Sequence, residues 1–164
     1  MVDYLPIDSQ TLTRCVLYFL LSFALLFVLR QMFYKIKIRR ACSSVYKLSG
    51  EEFEELLVNL YRADGYRVRK IGGKGDFGVD LLITRNGVTT AVQAKRYNKN
   101  VSLSAVQEVY AGKTYYGADK AAVITNSRFT KGAKMLALPC EVELIEGDEL
   151  EDMIARYKKS GSIF

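Results

Sequence analysis

The sequence predicts an α/β fold, a mixed β-sheet flanked by helices, preceded by one transmembrane α-helix. Three observations predict it. An uncharged apolar run, CVLYFLLSFALLFVL, occupies residues 15–29. An Asn86-Gly87 pair lies between two β-forming segments, residues 78–84 and Val88–Lys95, the strongest short-range hairpin signal. Segments of helical and strand periodicity then alternate to the end of the chain, and strands joined through helices usually run parallel.

The 164 residues have room for one ordinary domain and an appendage. We expect a short N-terminal segment (1–14), a transmembrane helix (15–34), a basic juxtamembrane linker (35–48) and one globular domain (49–164). The apolar run alone would span about 22 Å, short of a hydrocarbon core of about 30 Å. Leu12, Thr13, Met32, Phe33 and Tyr34 close the gap, with Arg14 and Arg30 snorkelling to the interfaces. A cleaved signal peptide needs positive charge before the run and a small-residue site after it. Here Asp3 and Asp8 come before it and QMFYKIKIRR after it. Arg30, Lys35, Lys37, Arg39, Arg40 and Lys47 follow with no acid among them. This charge bias sets a single pass through the inner (plasma) membrane with the C-terminal domain cytoplasmic, and the lipid bilayer as a partner.

Composition excludes several chemistries. There is no histidine, so Ser-His and Cys-His nucleophilic sites and histidine-bound zinc are ruled out. Three cysteines build neither a four-thiolate zinc site nor a disulfide framework, and they read as reduced thiols. The net charge of +6 belongs mostly to the juxtamembrane cluster. Beyond residue 48 charge is nearly balanced but unevenly placed. Basic residues dominate 62–134, and seven acids with no base fill 141–152. A basic side suits a phosphate backbone; a solvated mixed surface is the plainer account.

The globular domain reads element by element. SGEE at 49–52 is a capping box, and Phe53, Leu56, Leu57, Leu60 and Tyr61 follow at helical spacing to a stop at Gly65. Residues 66–71 alternate as a short strand, and a glycine-rich loop leads into the hairpin. Ser104 and Gln107 offer a second capping box for a helix with Val106, Val109 and Tyr110 on its apolar face. AAVIT at 121–125 is a buried-type strand, and Thr130 caps a short helix to about Leu138. Val142 and Leu144 mark another strand, and Leu150, Met153, Ile154 and Tyr157 form a terminal amphipathic helix capped by Asp148.

The hairpin acts as a ruler. With Asn86 and Gly87 as turn residues, Arg85 faces Val88, Asp80 lies opposite Gln93, and opposed residues share a face. Lys95, two residues on, projects from the same face, with Gly78 opposite it leaving open space. A bulge would shift this register. A carboxylate, an amide oxygen and an ammonium so gathered suit phosphodiester hydrolysis. Mg²⁺ or Mn²⁺ takes oxygen ligands, here Asp80, the Gln93 side-chain oxygen and the Ala94 carbonyl. Lys95 would orient water or stabilise developing charge, and Glu54 is a candidate base or further ligand if its helix packs beside the hairpin. A plain Asp80–Lys95 surface salt bridge is the competing account.

The runs LSGEEFEELLVNLYRADGYRVRKIGGKGDFGVDLLI, VQAKRYNKNVSLSAVQEVYAG and GADKAAVITNSRF, covering about residues 48–150, resemble the catalytic domain of the Mrr-type restriction endonucleases. That family belongs to the PD-(D/E)xK superfamily, in a branch with glutamine at the second acidic position. The resemblance implies a restriction endonuclease-like core (αβββαβ followed by αβα), metal-dependent cleavage of double-stranded DNA, and a catalytic set of Glu54, Asp80, Gln93 and Lys95. It also marks Gln107, without a role. Gln93 brings no charge, so metal affinity is expected below that of a glutamate. No separate DNA-recognition domain is evident, so the modified-DNA specificity of some relatives does not carry over.

Arg96, Lys99, Lys74 and Arg128, with Arg67 and Arg69, are candidates for a phosphate track. Tyr97, Tyr110, Tyr115 and Tyr116 could stack bases, but core packing is the simpler role for most. The expected function is a membrane-anchored Mg²⁺-dependent DNA endonuclease in restriction or defence, as a homodimer if it cuts both strands. A catalytically idle DNA-binding scaffold and a junction resolvase-like nuclease are the alternatives.

Overall fold

The structure is a computed structural model that describes residues 9–42, 45–71 and 75–159. It divides into two units, Met1–Arg40 and Ala41–Phe164.

One helix, α1, runs from Ser9 through Cys42, 34 residues, and all but its last two residues belong to the first unit. It continues past residue 34, where a linker was expected, because QMFYKIKIRRAC holds neither glycine nor proline to stop it. Its described large apolar side chains are all exposed, from 39% at Leu29 to 70% at Phe19 and Phe33. Among the described residues no helix is long and apolar enough to cross a membrane, so the transmembrane helix expected over 15–34 is not found there.

The second unit follows a 3₁₀ turn at Val45–Lys47 with α2 (Gly50–Ala63), β1 (Arg67–Lys70), β2 (Leu81–Arg85), β3 (Val88–Lys95), α3 (Leu103–Tyr115), β4 (Lys120–Thr125), α4 (Lys131–Ala137), β5 (Val142–Ile145) and α5 (Gly147–Lys159). The five strands form one sheet in sequential order. β1, β2 and β3 are antiparallel, whereas β3, β4 and β5 are parallel, as helical connections favour. The architecture is the expected mixed α/β fold.

Local signals explain most boundaries. Ser49 starts α2 with a reciprocal box: Glu52 N donates to Ser49 Oγ at 3.2 Å, and Ser49 N donates to Glu52 Oε2 at 2.7 Å. Thr130 Oγ1 accepts from Ala133 N at 3.2 Å, the expected cap of α4. Two expected caps are corrected. α3 begins at Leu103 with Ser102 as its N-cap, so Ser104 lies inside the first turn, its hydroxyl 2.8 Å from that of Ser102. α5 begins at Gly147, which places Asp148 in the first turn; Glu149 Oε2 instead accepts from Glu146 N at 3.3 Å.

Strand alternation divides the core between two faces. Leu82, Ala91, Ala121, Val123 and Val142 pack with Val106, Val109, Phe129 and Ala133 from the α3–α4 side. Leu81, Ile83, Val92, Ala122 and Ile124 alternate to the face that meets α2 and α5. Each fully buried aliphatic side chain contributes roughly 1.5–3 kcal/mol. Gln93 interrupts this apolar field. It is 2% exposed, paired in register with Val123 of β4.

Candidate active site

The hairpin register is the expected one through the strands: Arg85 faces Val88, Ile83 faces Thr90 and Leu81 faces Val92. It breaks one residue further. Asp80 N donates to the Val92 carbonyl at 2.9 Å, so Asp80 and Leu81 together meet Val92, as in a β-bulge. Asp80 is therefore not opposed to Gln93. The chain reaches the bulge through a tight turn in which Phe77 (φ 50°) and Gly78 (φ 73°) both take left-handed backbone. Asp76 holds that turn, its Oδ1 accepting from Gly78 N at 3.0 Å and its carbonyl from Val79 N at 3.0 Å. This turn also explains why β2 begins at Leu81 and not at Gly78.

The bulge aims Asp80 differently without removing it from the cluster. Its Oδ2 accepts a 2.7 Å hydrogen bond from Ala94 N, the residue between Gln93 and Lys95. Its backbone carbonyl accepts from Ile71 N at 2.7 Å, tying the turn to the end of β1.

The space beside Gly78 is not open, contrary to expectation. α3 fills it. A Cβ at Gly78 would lie 2.6 Å from Glu108 Cβ and 3.0 Å from Gln93 Nε2. Glu108 Oε2 accepts from Gln93 Nε2 at 2.7 Å and forms an ion pair with Lys95 Nζ at 3.0 Å. The partner of Lys95 is therefore Glu108, not Asp80. Gly112, one turn on, gives the same close seat to the turn: a Cβ there would meet Val79 Cγ2 and lie 2.6 Å from the Phe77 carbonyl.

Glu54 faces this assembly from α2 and forms a 3.2 Å ion pair with Lys70 of β1. The electrostatics follow from the placement. Burial pushes Asp80 up to about 6; Glu54 and Asp76 add to the rise, while the Ala94 hydrogen bond and Lys95 oppose it. Burial also raises Glu108, but the hydrogen bonds from Gln93 and Lys95 and the lysine charge outweigh it and hold that carboxyl below its usual range.

Two observations test whether a divalent cation fits. Gln93 Oε1 is buried and has no hydrogen-bond partner among the described residues. Asp80 is a carboxyl pushed up by burial, with Glu54 and Asp76 adding to the rise and Lys95 only partly offsetting it. An unpartnered amide oxygen and an under-compensated carboxylate are hard oxygen donors of the kind Mg²⁺ or Mn²⁺ takes. Among the described residues no group of three or more histidine, cysteine, aspartate or glutamate side chains is placed to hold a metal. What Asp80 and Gln93 offer a cation is one carboxylate and one amide oxygen, with backbone or water to complete it.

The candidate phosphate contacts fall at different places. Lys99 is exposed beyond β3, and Arg67 and Arg69 are exposed on the edge strand β1. Arg128 is exposed and pairs with Asp148 at 3.5 Å. The Arg96 guanidinium donates to the Tyr46 carbonyl, and its Nε is buried without a partner among the described residues. Lys74 lies outside the described residues. The core role expected for most of the tyrosines is corrected: Tyr97, Tyr110 and Tyr115 are exposed at 41%, 45% and 64%. The Tyr115 ring lies 4.1 Å from that of Phe77, beside the turn that carries Asp80.

Sequence reasoning passed over Glu108 and Asp76. Gln107, marked instead, is exposed on α3. The signal for Glu108 is its spacing from Ala105 and Gly112, small buried residues three before and four after it on one helix face.

Comparisons with known proteins give the family and the fold. The restriction endonuclease family defined by the Mrr catalytic domain (Mrr_cat) matches residues 45–154. The type IV methyl-directed restriction enzyme EcoKMrr of Escherichia coli strain K12 is 28% identical over 116 residues, 65% of this chain. The chain spans 38% of that enzyme's length. Two solved structures share the fold. The MspJI restriction endonuclease in complex with a 27-mer oligonucleotide has a TM-score of 0.55 at 23% identity, over 71% of this chain and 31% of its own. The DNA modification-dependent restriction endonuclease AspBHI has a TM-score of 0.56 at 17% identity, over 79% of this chain and 36% of its own. From residue 45 to residue 154 the chain is a restriction endonuclease domain, and it belongs to the Mrr_cat family.

Proposed function

We propose that this protein is a membrane-anchored, Mg²⁺-dependent DNA endonuclease that cuts phosphodiester bonds of incoming DNA at the cytoplasmic face of the inner membrane. The observation that carries the reading is a buried Gln93 Oε1 without a partner among the described residues, next in sequence to the Ala94 amide that donates to the Asp80 carboxylate. A packing or scaffold role has no use for a buried oxygen left without a donor, which costs roughly 1–3 kcal/mol.

Mg²⁺ or Mn²⁺, when bound, acidifies water and offsets charge on the reacting phosphate. Asp80 and Gln93 would hold the cation through oxygen. Lys95, fixed by Glu108, places its ammonium where it hydrogen-bonds the attacking water or the phosphate oxygens. Glu54 lies close enough for its charge to act on Asp80, and it serves as the base or as a further ligand through water. Lys99, Arg67 and Arg69, all exposed, supply positive charge for the DNA backbone.

A membrane contact is supported by α1, whose described large apolar side chains are all exposed, and it does not rest on a span, since no helix among the described residues is long and apolar enough to cross a bilayer. The acid-free basic cluster after residue 30 supports the cytoplasmic orientation. Reporter fusions at each terminus test it, and a C-terminus outside the cytoplasm would defeat it.

The activity test uses the full chain in detergent micelles with Mg²⁺ or Mn²⁺ on plasmid, linear, branched and modified DNA, beside Asp80→Ala and Lys95→Ala. Metal-dependent cleavage lost in both variants is the expected result. Preference for branched DNA would make the protein a junction resolvase-like nuclease. DNA binding without cleavage under every condition would make it a scaffold.

A further inference from the structure

The two ends of a glutamine amide have nearly the same shape, so packing volume alone does not decide which end faces which way. At Gln93 the decision comes from one neighbour. Its nitrogen lies 2.7 Å from Glu108 Oε2. An ionised carboxylate only accepts hydrogen bonds, so a reversed amide would set oxygen against oxygen at that distance. Lys95 Nζ, 3.0 Å from the same Oε2, keeps Glu108 charged and in place. With the nitrogen committed, the oxygen is the end left over, buried and without a partner among the described residues. Gly78 permits the arrangement, since any Cβ there would force Glu108 away.

We infer that Glu108 is a positioning residue: it orients the side-chain amide of Gln93 so that oxygen, not nitrogen, is presented to the divalent cation, and it restrains the Lys95 ammonium beside it. The inference rests on the metal-dependent reading above and adds to it a side chain from α3. Groups that orient metal ligands commonly carry about 10–100-fold in metal affinity.

The test measures Mn²⁺ binding to the full chain in detergent micelles, without DNA, by the electron paramagnetic resonance of free Mn²⁺. E108A is expected to weaken binding about tenfold. E108Q keeps an oxygen acceptor for both donors and should stay within about threefold of wild type. In a Q93E background E108A should cost less than about threefold, because a carboxylate offers oxygen at either end. A second readout is the Gln93 side-chain NH₂ signal in NMR, which should exchange slowly with water in wild type and rapidly in E108A.

Unchanged Mn²⁺ affinity in E108A overturns the inference. Equal losses in E108A and E108Q, or equal losses from E108A with Gln93 and with Q93E, also overturn it, since Glu108 would then act by charge alone. Mn²⁺ binding that depends on Asp80 but not on Glu108 removes this inference and leaves the metal-dependent reading standing. An absence of Asp80-dependent binding in the wild type removes both.

Discussion

The Asp80 carboxylate accepts a 2.7 Å hydrogen bond from the backbone amide of Ala94, the residue that separates Gln93 from Lys95. This bond crosses the hairpin at the point where the strand ladder is broken by a bulge. It fixes the acid to the strand that carries its two partners, although register alone no longer does so. The carboxylate is partly buried and pushed up to about 6, and that combination has consequences for stability.

A carboxyl with a folded value near 6 and an ordinary value of 3.8 binds its proton more tightly in the native state. Its contribution is therefore fully present below pH 3.8 and is lost as pH rises through about 6. The shift corresponds to at most about 3 kcal/mol, and less because the group still meets solvent. In metal-free protein Asp80→Asn should melt above wild type at pH 8, and the difference should shrink toward pH 4. Thermal melts in EDTA across that range check it; a lower melting point for Asp80→Asn at pH 8 would contradict the assignment.

A cation bound at Asp80, as proposed, would oppose the same electrostatic penalty. Saturating Mg²⁺ should raise the melting temperature of wild type, by about 2.7 kcal/mol of stability at a hundred times Kd. EDTA should reverse the gain, and Asp80→Ala should show none. The apparent affinity should fall as pH drops through about 6, where Asp80 takes up its proton.

Gly112 allows α3 to touch the turn that leads into Asp80. A methyl group at that position would lie 2.6 Å from the Phe77 carbonyl, and backbone yields less readily than a flexible side chain. Gly112→Ala should destabilise the domain by about 1–3 kcal/mol despite the better helix propensity of alanine. It should also lower cleavage more than Mn²⁺-independent DNA binding, because the displaced turn carries Asp80. Denaturant titration with paired binding and cleavage assays separates the two effects.

Arg67 and Arg69 are exposed on the edge strand. If they track the phosphate backbone, each change to alanine should weaken DNA binding similarly across sequences and reduce the salt slope by about one. Binding isotherms over a range of KCl concentrations measure this. An unchanged slope would place the DNA on another face.

Ser49 and Glu52 form a closed capping box at the start of α2, the helix that bears Glu54. Ser49→Ala should cost about 1 kcal/mol. The urea midpoint is expected to fall while the catalytic residues stay in place, so cleavage at low temperature should be retained.

Local chemistry made much of this protein legible in one dimension. The Asn86-Gly87 turn sets the pairing of β2 with β3, because a two-residue turn leaves only one register that closes the ladder. The capping box at Ser49 and the cap at Thr130 appear where side-chain oxygens follow the rules for helix starts. Asp80, Gln93 and Lys95 were singled out in the sequence by the hairpin spacing together with the resemblance to the Mrr-type endonucleases, since spacing alone fits a surface salt bridge as well. Tertiary structure alone decided how the set is assembled. The bulge at Asp80 arises from a glycine turn pressed against α3, a contact between residues about thirty positions apart that leaves no periodic trace in the sequence. Glu108 joined the site for the same reason. On its own helix it is an ordinary surface glutamate, and only the glycine at position 78 lets it reach Gln93 and Lys95 and hold their side chains in place.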